Sequence, residues 1–219
     1  MSCEAMAKYA PDHRHLTPRC FHRRTRLKIG LLGGSFNPAH DGHLHITAAA
    51  RRQLDLDEVW WLVSPQNPLK SHADMAPLDV RLSGARQIAA KYPFLRVMAP
   101  EAALPHNYTY NTVLHLKKTL PAARLVWIMG ADNLAQLSQW YRYRALIRLL
   151  PIAVVNRPRY ALSAIRAGQR LFKRRYRTGA LRAQLRGDAA HRSGWCFIAG
   201  PTHAASATAI RQAAVANRP

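Results

Sequence analysis

The densest chemistry in the sequence lies in one run of eleven residues, Gly33-Gly34-Ser35-Phe36-Asn37-Pro38-Ala39-His40-Asp41-Gly42-His43. The apolar run Leu27–Leu32 precedes it, and a stretch of helical character from Asp41 to Leu54 follows. Two adjacent glycines let the backbone approach a ligand closely and take torsions closed to other residues. A helix starting just beyond them offers unpaired N–H groups and the positive end of its dipole, and both favour phosphate. His40 and His43 are three apart, so on a first helical turn both can face one side, with Gly42 leaving room for phosphate oxygens between them. The chemistry this composition suits is the binding of phosphate.

Other readings of the segment fail on spacing. A nucleophile elbow needs Gly-x-Ser-x-Gly, but Asn37 occupies the last position. Neither a Walker P-loop nor a dinucleotide Gly-x-Gly-x-x-Gly is present. His40, His43 and His45 are conceivable zinc ligands, but no fourth is evident. Near the other end, Ser206-Ala207-Thr208-Ala209-Ile210-Arg211 returns to phosphate. Ser206 can cap a helix whose free amides, with the Thr208 hydroxyl, receive an anion. Arg211 adds a permanent charge with forked donors.

Together the two segments resemble the HxGH nucleotidyltransferase superfamily, whose motifs read Gly-Gly-Ser/Thr-Phe-Asp/Asn-Pro-x-His-x-Gly-His and Ser-x-Thr-x-Ile/Val-Arg. The middle of the chain is similar to bacterial nicotinate-nucleotide adenylyltransferases. Ser64-Pro65-Gln66-Asn67-Pro68-Leu69-Lys70 looks like that family's proline-rich loop with a basic residue, and Asn107–Thr112 like its Ser-Tyr-Thr-x-x-Thr segment. Trp127–Leu134 with Trp140 resembles its Gly-x-Asp-x-Leu…Trp block, and Arg157-Pro158 its Arg-Pro pair. The resemblance runs from Lys28 to Arg211, with residues 161–192 poorly matched. It implies transfer of AMP from ATP to nicotinate mononucleotide, a late step in making NAD, by in-line displacement. It also implies Mg2+ carried by ATP rather than a metal site in the protein.

Residue roles follow from the resemblance. Gly33, Gly34, Ser35, Phe36, His40, Gly42, His43, Asp132, Ser206, Thr208 and Arg211 would bind ATP, with His40, His43 and Arg211 catalytic. Asn37, Lys70, Tyr108, Thr109, Trp140 and Arg157 would bind the mononucleotide: backbone amides around Tyr108-Thr109 receive the nicotinate carboxylate, and Trp140 stacks on the pyridine ring. By residue type alone, Trp140 also fits a core or surface aromatic, Asp132 a helix cap, and Lys70 a solvated side chain. Trp60, Trp61 and Trp127 lie in strands and read as core. The chain departs from the family at Asn107, where serine is frequent, at Arg159, where glycine is common, and in ending eight residues after Arg211.

The elements that must position these residues alternate. Strands are predicted at Leu27–Leu32, Val59–Val63, Leu95–Met98, Arg124–Met129, Pro151–Val155 and Trp195–Ile198. Helices are predicted at Asp41–Leu54, Leu78–Ala90 and Thr109–Leu120, near Asn133–Gln139 and Arg144–Leu149, and from Ala207. This rhythm implies an α/β fold: a Rossmann-like, doubly wound parallel sheet with helices on both faces, binding its ligands at the carboxyl ends of the strands. Residues 161–192 interrupt it, and Leu171-Phe172, Tyr176, Leu181 and Leu185 among many arginines predict amphipathic helices with a narrow apolar face. A solvated basic surface, an oligomer contact or an anion-binding flap are the readings of that insertion. Residues 1–26 are basic and aperiodic, an expected mobile extension before a single domain spanning 27–219.

A net charge of +22 raises nucleic acid as a partner. The location of the charge argues against it. Residues 28–156 carry fourteen Lys/Arg against eight acids, whereas residues 157–192 carry eleven against Asp188 alone. The excess therefore sits away from the phosphate motifs. No run approaches the roughly 18 apolar residues of a membrane span, and no secretory signal precedes Arg26. Cys3, Cys20 and Cys196 lie far apart without a CxxC pair, which fits a reduced, cytoplasmic setting.

Overall fold

The computed structural model describes residues 27–65, 75–104, 108–187 and 193–203, and beyond them Ala205, Ala207, Ile210 and Arg211. Strands and helices alternate along it: β1 (Lys28–Gly34), α1 (Asp41–Leu54), β2 (Glu58–Val63), α2 (Leu78–Ala89), β3 (Leu95–Met98), α3 (Thr109–Thr119), β4 (Arg124–Gly130), α4 (Ala131–Leu134), α5 (Tyr143–Leu149) and β5 (Ile152–Val155). The series ends with α6 (Ala161–Leu171), β6 (Arg175–Tyr176), α7 (Thr178–Arg186) and β7 (Trp195–Ile198). Short 3-10 turns occupy Pro100–Ala103 and Leu137–Gln139. Where they fall on described residues, the predicted strands and helices are present within a residue or two, except that the helix expected near Asn133–Gln139 is a one-turn helix, Ala131–Leu134, followed by the 3-10 turn Leu137–Gln139. The expected N-terminal extension lies outside them.

All pairings are parallel, in the order β3-β2-β1-β4-β5-β7-β6. Strands covered on both faces must be apolar nearly throughout, which is why Val59-Trp60-Trp61-Leu62-Val63 and Leu125–Gly130 are buried at every position. Trp60, Trp61 and Trp127 are core residues, as expected. The chain winds outward from β1 through β2 to β3, then returns to β4 on the other side of β1. The reversal falls between β1 and β4, the place where open α/β sheets hold ligands. One face of the sheet is covered by α1, α2 and α7 through Ile46, Ala50, Leu82, Ala85 and Leu181. The other is covered by α3, α4, α5 and α6 through Val113, Leu116, Leu134, Leu146 and Ala164.

The basic stretch after Tyr160 does form two helices, but they belong to both layers of the core. Leu181 and Leu185 are fully buried. On α6, a Cβ added to Gly168 would collide with the Trp195 indole, so only glycine lets that helix lie so close to β7. The two-residue edge strand β6 between the helices was not expected. Asp55, the left-handed C-cap of α1, accepts from Lys28 Nζ and Arg186 Nη2, each at 2.8 Å. These hydrogen-bonded cations hold its carboxyl at about 2 and join β1, α1 and α7. Among the described residues, no helix is long and apolar enough to cross a membrane.

Candidate active site

The first motif folds as a strand end, a tight loop and a helix start. β1 terminates at Gly34, and Phe36 turns inward at φ 47 with 1% of its surface exposed. Its ring stacks on Trp61 at 4.9 Å between centroids and lies 4.5 Å from that of His43. This packing offsets the cost of a left-handed torsion at an aromatic residue. Phe36 therefore acts as a floor beneath the histidines.

His40 is the N-cap of α1, and the two histidines cap the helix reciprocally. His40 Nδ1 accepts from the Gly42 amide at 3.0 Å, and His43 Nδ1 accepts from the His40 amide at 3.3 Å. With Nδ1 an acceptor in both rings, the neutral form carries its proton on Nε2. His40 is held below its ordinary pKa, mainly by burial and then by the positive charge of Arg157. It thus remains a neutral donor at neutral pH. The ring centroids are 4.0 Å apart, which makes the pair one compact donor surface.

The glycines create the space. A Cβ on Gly33 would lie 2.5 Å from Trp127 Cη2. One on Gly42 would lie 2.6 Å from the Ala205 carbonyl oxygen and 2.8 Å from His40 Cε1. Contacts that close are not tolerated, so the C-terminal segment can dock on α1 only over a glycine. If ATP binds here, as the sequence resemblance implies, Gly42→Ala is expected to raise its KM by about tenfold to a hundredfold, the upper end being the scale of a group misplaced by about an ångström. Initial rates against ATP concentration test this, and an unchanged KM would show that the contact is unimportant.

Sequence-distant residues converge here. Arg211 Nη1 donates to the Asn37 carbonyl oxygen at 2.6 Å, joining the C-terminal motif to the first loop across 174 positions. Arg157 Nη1 donates to Ala205 O at 3.3 Å, and Arg157 Nε pairs with Asp132 Oδ1 at 3.5 Å. Asp132 lies in α4, immediately after β4, so His40, His43, Arg157, Asp132 and Arg211 gather at the carboxyl edge of β1 and β4. Ser206, Thr208 and Lys70 lie outside the described residues. Ser35 contributes its carbonyl to a buried arginine described below. The Asn37 carboxamide accepts from the Ala76 amide at 3.3 Å, which anchors the chain entering α2.

Across β1 lies a second group. Tyr108 precedes α3 in an extended conformation and provides no side-chain cap, and Thr109 opens the first turn. The Tyr108 ring stacks on Tyr141 at 4.4 Å. Neighbouring Trp140 is half-buried and meets Trp127 edge-on at 6.1 Å. Because Trp127 also lies beneath Gly33, an aromatic path connects Trp140 to the end of β1.

Three residues were missed by sequence reasoning. Tyr141 was overlooked beside Trp140, although the aromatic pair itself was a signal. Arg81 is 4% exposed and donates to four carbonyl oxygens: Ala76 from Nε at 2.8 Å, Ser35 and Ser64 from Nη1 at 2.7 Å, and Pro65 from Nη2 at 2.8 Å. Its signal was a charge on the buried stripe Arg81, Ala85, Ala89 of α2. Glu101 is 8% exposed and accepts from Thr112 Oγ1 at 3.1 Å. Nothing in its surroundings along the chain marks it.

The cytidylyltransferase-like family matches residues 31–213 of this chain. A protein of Parvibaculum lavamentivorans named nicotinate-nucleotide adenylyltransferase is 47% identical over 186 residues, covering 85% of this chain and 92% of that one. A Methylorubrum extorquens protein of the same name is 44% identical over 188 residues, covering 84% of this chain and 99% of its own. Among solved structures, the Plasmodium falciparum nicotinic acid mononucleotide adenylyltransferase complexed with APC has a TM-score of 0.63 at 13% identity, over 85% of this chain and 83% of that one. That likeness is one of fold. A match across most of the chain, with identity well above 40% to two relatives over nearly their full lengths, places it among them: the chain belongs to the cytidylyltransferase-like family and, within it, to the nicotinate-nucleotide adenylyltransferases.

Proposed function

We propose that this protein transfers AMP from ATP to nicotinate mononucleotide, releasing pyrophosphate and forming nicotinate adenine dinucleotide for NAD synthesis. The observation that carries this reading is the convergence of both phosphate motifs at the β1/β4 edge, sealed by Arg211 on the Asn37 carbonyl. An oxygen of the mononucleotide phosphate attacks the α-phosphorus of ATP. The bond from that phosphorus to the bridging oxygen breaks, and the electron pair leaves with pyrophosphate. The attacking oxygen is already anionic, so no general base is needed, and the protein works by positioning and by charge stabilisation.

His40 and His43 donate from Nε2 to phosphate oxygens of ATP, with the first-turn amides of α1 beside them. Arg211 supplies charge, with Ser206 and Thr208 next to it in sequence. Gly33, Gly34, Ser35 and Phe36 shape the loop, and Gly42 keeps the approach open. On the other side Trp140 stacks on the pyridine ring, and the amides at Tyr108-Thr109 receive its carboxylate. Asn37, Lys70 and Arg157 complete the mononucleotide side. A helix start favours a carboxylate over a neutral carboxamide, which supports preference for the acid form.

Magnesium belongs to this proposal as a companion of ATP. Among the described residues, no group of three or more His, Cys, Asp or Glu is placed to hold a metal of its own. Asp132 Oδ1 is buried and makes no hydrogen bond, facing Arg157 Nε at 3.5 Å, so this carboxylate is the acid of the cluster that could meet a hydrated cation held by the nucleotide. Bound there, the cation would neutralise charge on the leaving pyrophosphate. A cytoplasmic setting completes the reading, and Cys196, a buried free thiol, agrees with it.

The test is pyrophosphate release with ATP and magnesium, comparing nicotinate mononucleotide, nicotinamide mononucleotide and phosphopantetheine. Rapid release with the nicotinate form alone is expected. Release with phosphopantetheine would keep the nucleotidyl transfer but overturn the acceptor.

A further inference from the structure

Glu101 is a buried acid that the reaction above does not use. It lies on the 3-10 turn after β3, at the carboxyl end of the sheet, and its two carboxyl oxygens have different surroundings. Oε1 accepts from Thr112 Oγ1 at 3.1 Å, while Oε2 is buried without a hydrogen-bond partner. The Ser64 side chain is the second group that acts on the carboxyl, favouring its charged form. Ser64 begins the loop that follows β2 and leads towards Lys70. Thr112 lies on the first turns of α3, and its hydroxyl is also 3.3 Å from the Tyr108 carbonyl oxygen. One carboxyl thus lies between Ser64 at the end of β2 and the first turns of α3, beside the Tyr108-Thr109 amides proposed above to receive the mononucleotide.

We propose that Glu101 is a positioning residue for the mononucleotide site: by acting on both Ser64 and Thr112 it sets the spacing between the end of β2 and the amides at the start of α3. This rests on the mononucleotide reading given above. An acid beside a site for two anionic groups would repel its ligand if ionised. Burial pushes the Glu101 carboxyl up from its ordinary range, more strongly than the Ser64 and Thr112 side chains pull it down, which disfavours the charged form. Glutamine has the same shape and the same acceptor, so it can replace the clamp, whereas alanine cannot.

The test compares full-length wild type, Glu101→Gln and Glu101→Ala in the pyrophosphate-release assay, varying each substrate at saturating levels of the other. Glu101→Ala is expected to raise the KM for nicotinate mononucleotide about tenfold and leave that for ATP within about twofold, with Glu101→Gln within about threefold of wild type for both. Thr112→Val removes one strand of the clamp with nearly the same volume, and is expected to raise only the mononucleotide KM about threefold. This variant keeps the question decidable if Glu101→Ala does not fold. Equal rises in both KM values, equal losses in the Gln and Ala variants, or an unchanged mononucleotide KM in Thr112→Val would overturn the proposal. A wild type inactive with nicotinate mononucleotide would instead reject the reading on which it rests.

Discussion

Replacing His43 with alanine is expected to lower turnover at saturating substrates by at least about a hundredfold, the loss that follows removal of one oriented donor from a developing charge. The geometry explains why one ring should matter so much. His43 Nδ1 is occupied by the His40 amide, so rotation and tautomer are both set before substrate arrives. Phe36 and Trp61 pack against the ring at centroid distances of 4.5 and 5.9 Å, which limits any drift. A donor fixed in advance costs little reorganisation in the transition state, and that advantage disappears entirely in alanine. The same change removes an acceptor from the helix cap, worth about 1 kcal/mol of stability. A thermal melt should therefore accompany the pyrophosphate-release assay, to show that the variant is folded at the assay temperature. A folded variant with near-normal turnover would remove His43 from the mechanism.

The second large effect is expected at Arg81, and there stability should fall as well as activity. Truncation to methionine keeps the aliphatic volume but leaves the carbonyls of Ser35, Ser64, Pro65 and Ala76 without their donor. A buried acceptor left unpaired costs about 1–3 kcal/mol, and water entering this loop region will recover part of the total. A net loss of about 3 kcal/mol or more is expected from urea unfolding of Arg81→Met. Arg81→Lys should recover little of it, because one compact ammonium cannot span four acceptors arranged around a planar fork. Ser35 and Ser64 belong to the loops after β1 and β2, so releasing them should also lower kcat/KM about tenfold through misplacement of both substrates. Stability within about 0.5 kcal/mol of wild type in Arg81→Met would show that this guanidinium merely decorates the loops.

Arg81 also carries a burial cost of its own. Desolvation lowers its pKa, and no carboxylate pairs with it among the described residues. Four carbonyl dipoles take the place of a counter-ion. The arrangement leaves positive charge behind the loops after β1 and β2, which agrees with the anion site proposed above.

The sequence by itself determined the elements and the chemistry they carry. Apolar runs such as Val59–Val63 predicted buried parallel strands, and the first motif predicted the helix start that α1 supplies at Asp41. These features are local: strand burial, helix capping and glycine torsions leave a signature within a few residues. Both end motifs could be recognised because each is a contiguous string of residue types. Tertiary structure alone decided what lies beside what. That Arg211 rests on Asn37, that Arg157 bridges Asp132 and Ala205, and that the basic stretch at 161–192 sends Leu181 and Leu185 into the core all follow from strand order. Arg81 and Glu101 stayed hidden for the same reason. A charged residue in a sequence looks solvated until the fold surrounds it, and its partners are carbonyls and hydroxyls that any residue or any serine could supply. Buried polar pairing is set by three-dimensional proximity, which no spacing along the chain encodes.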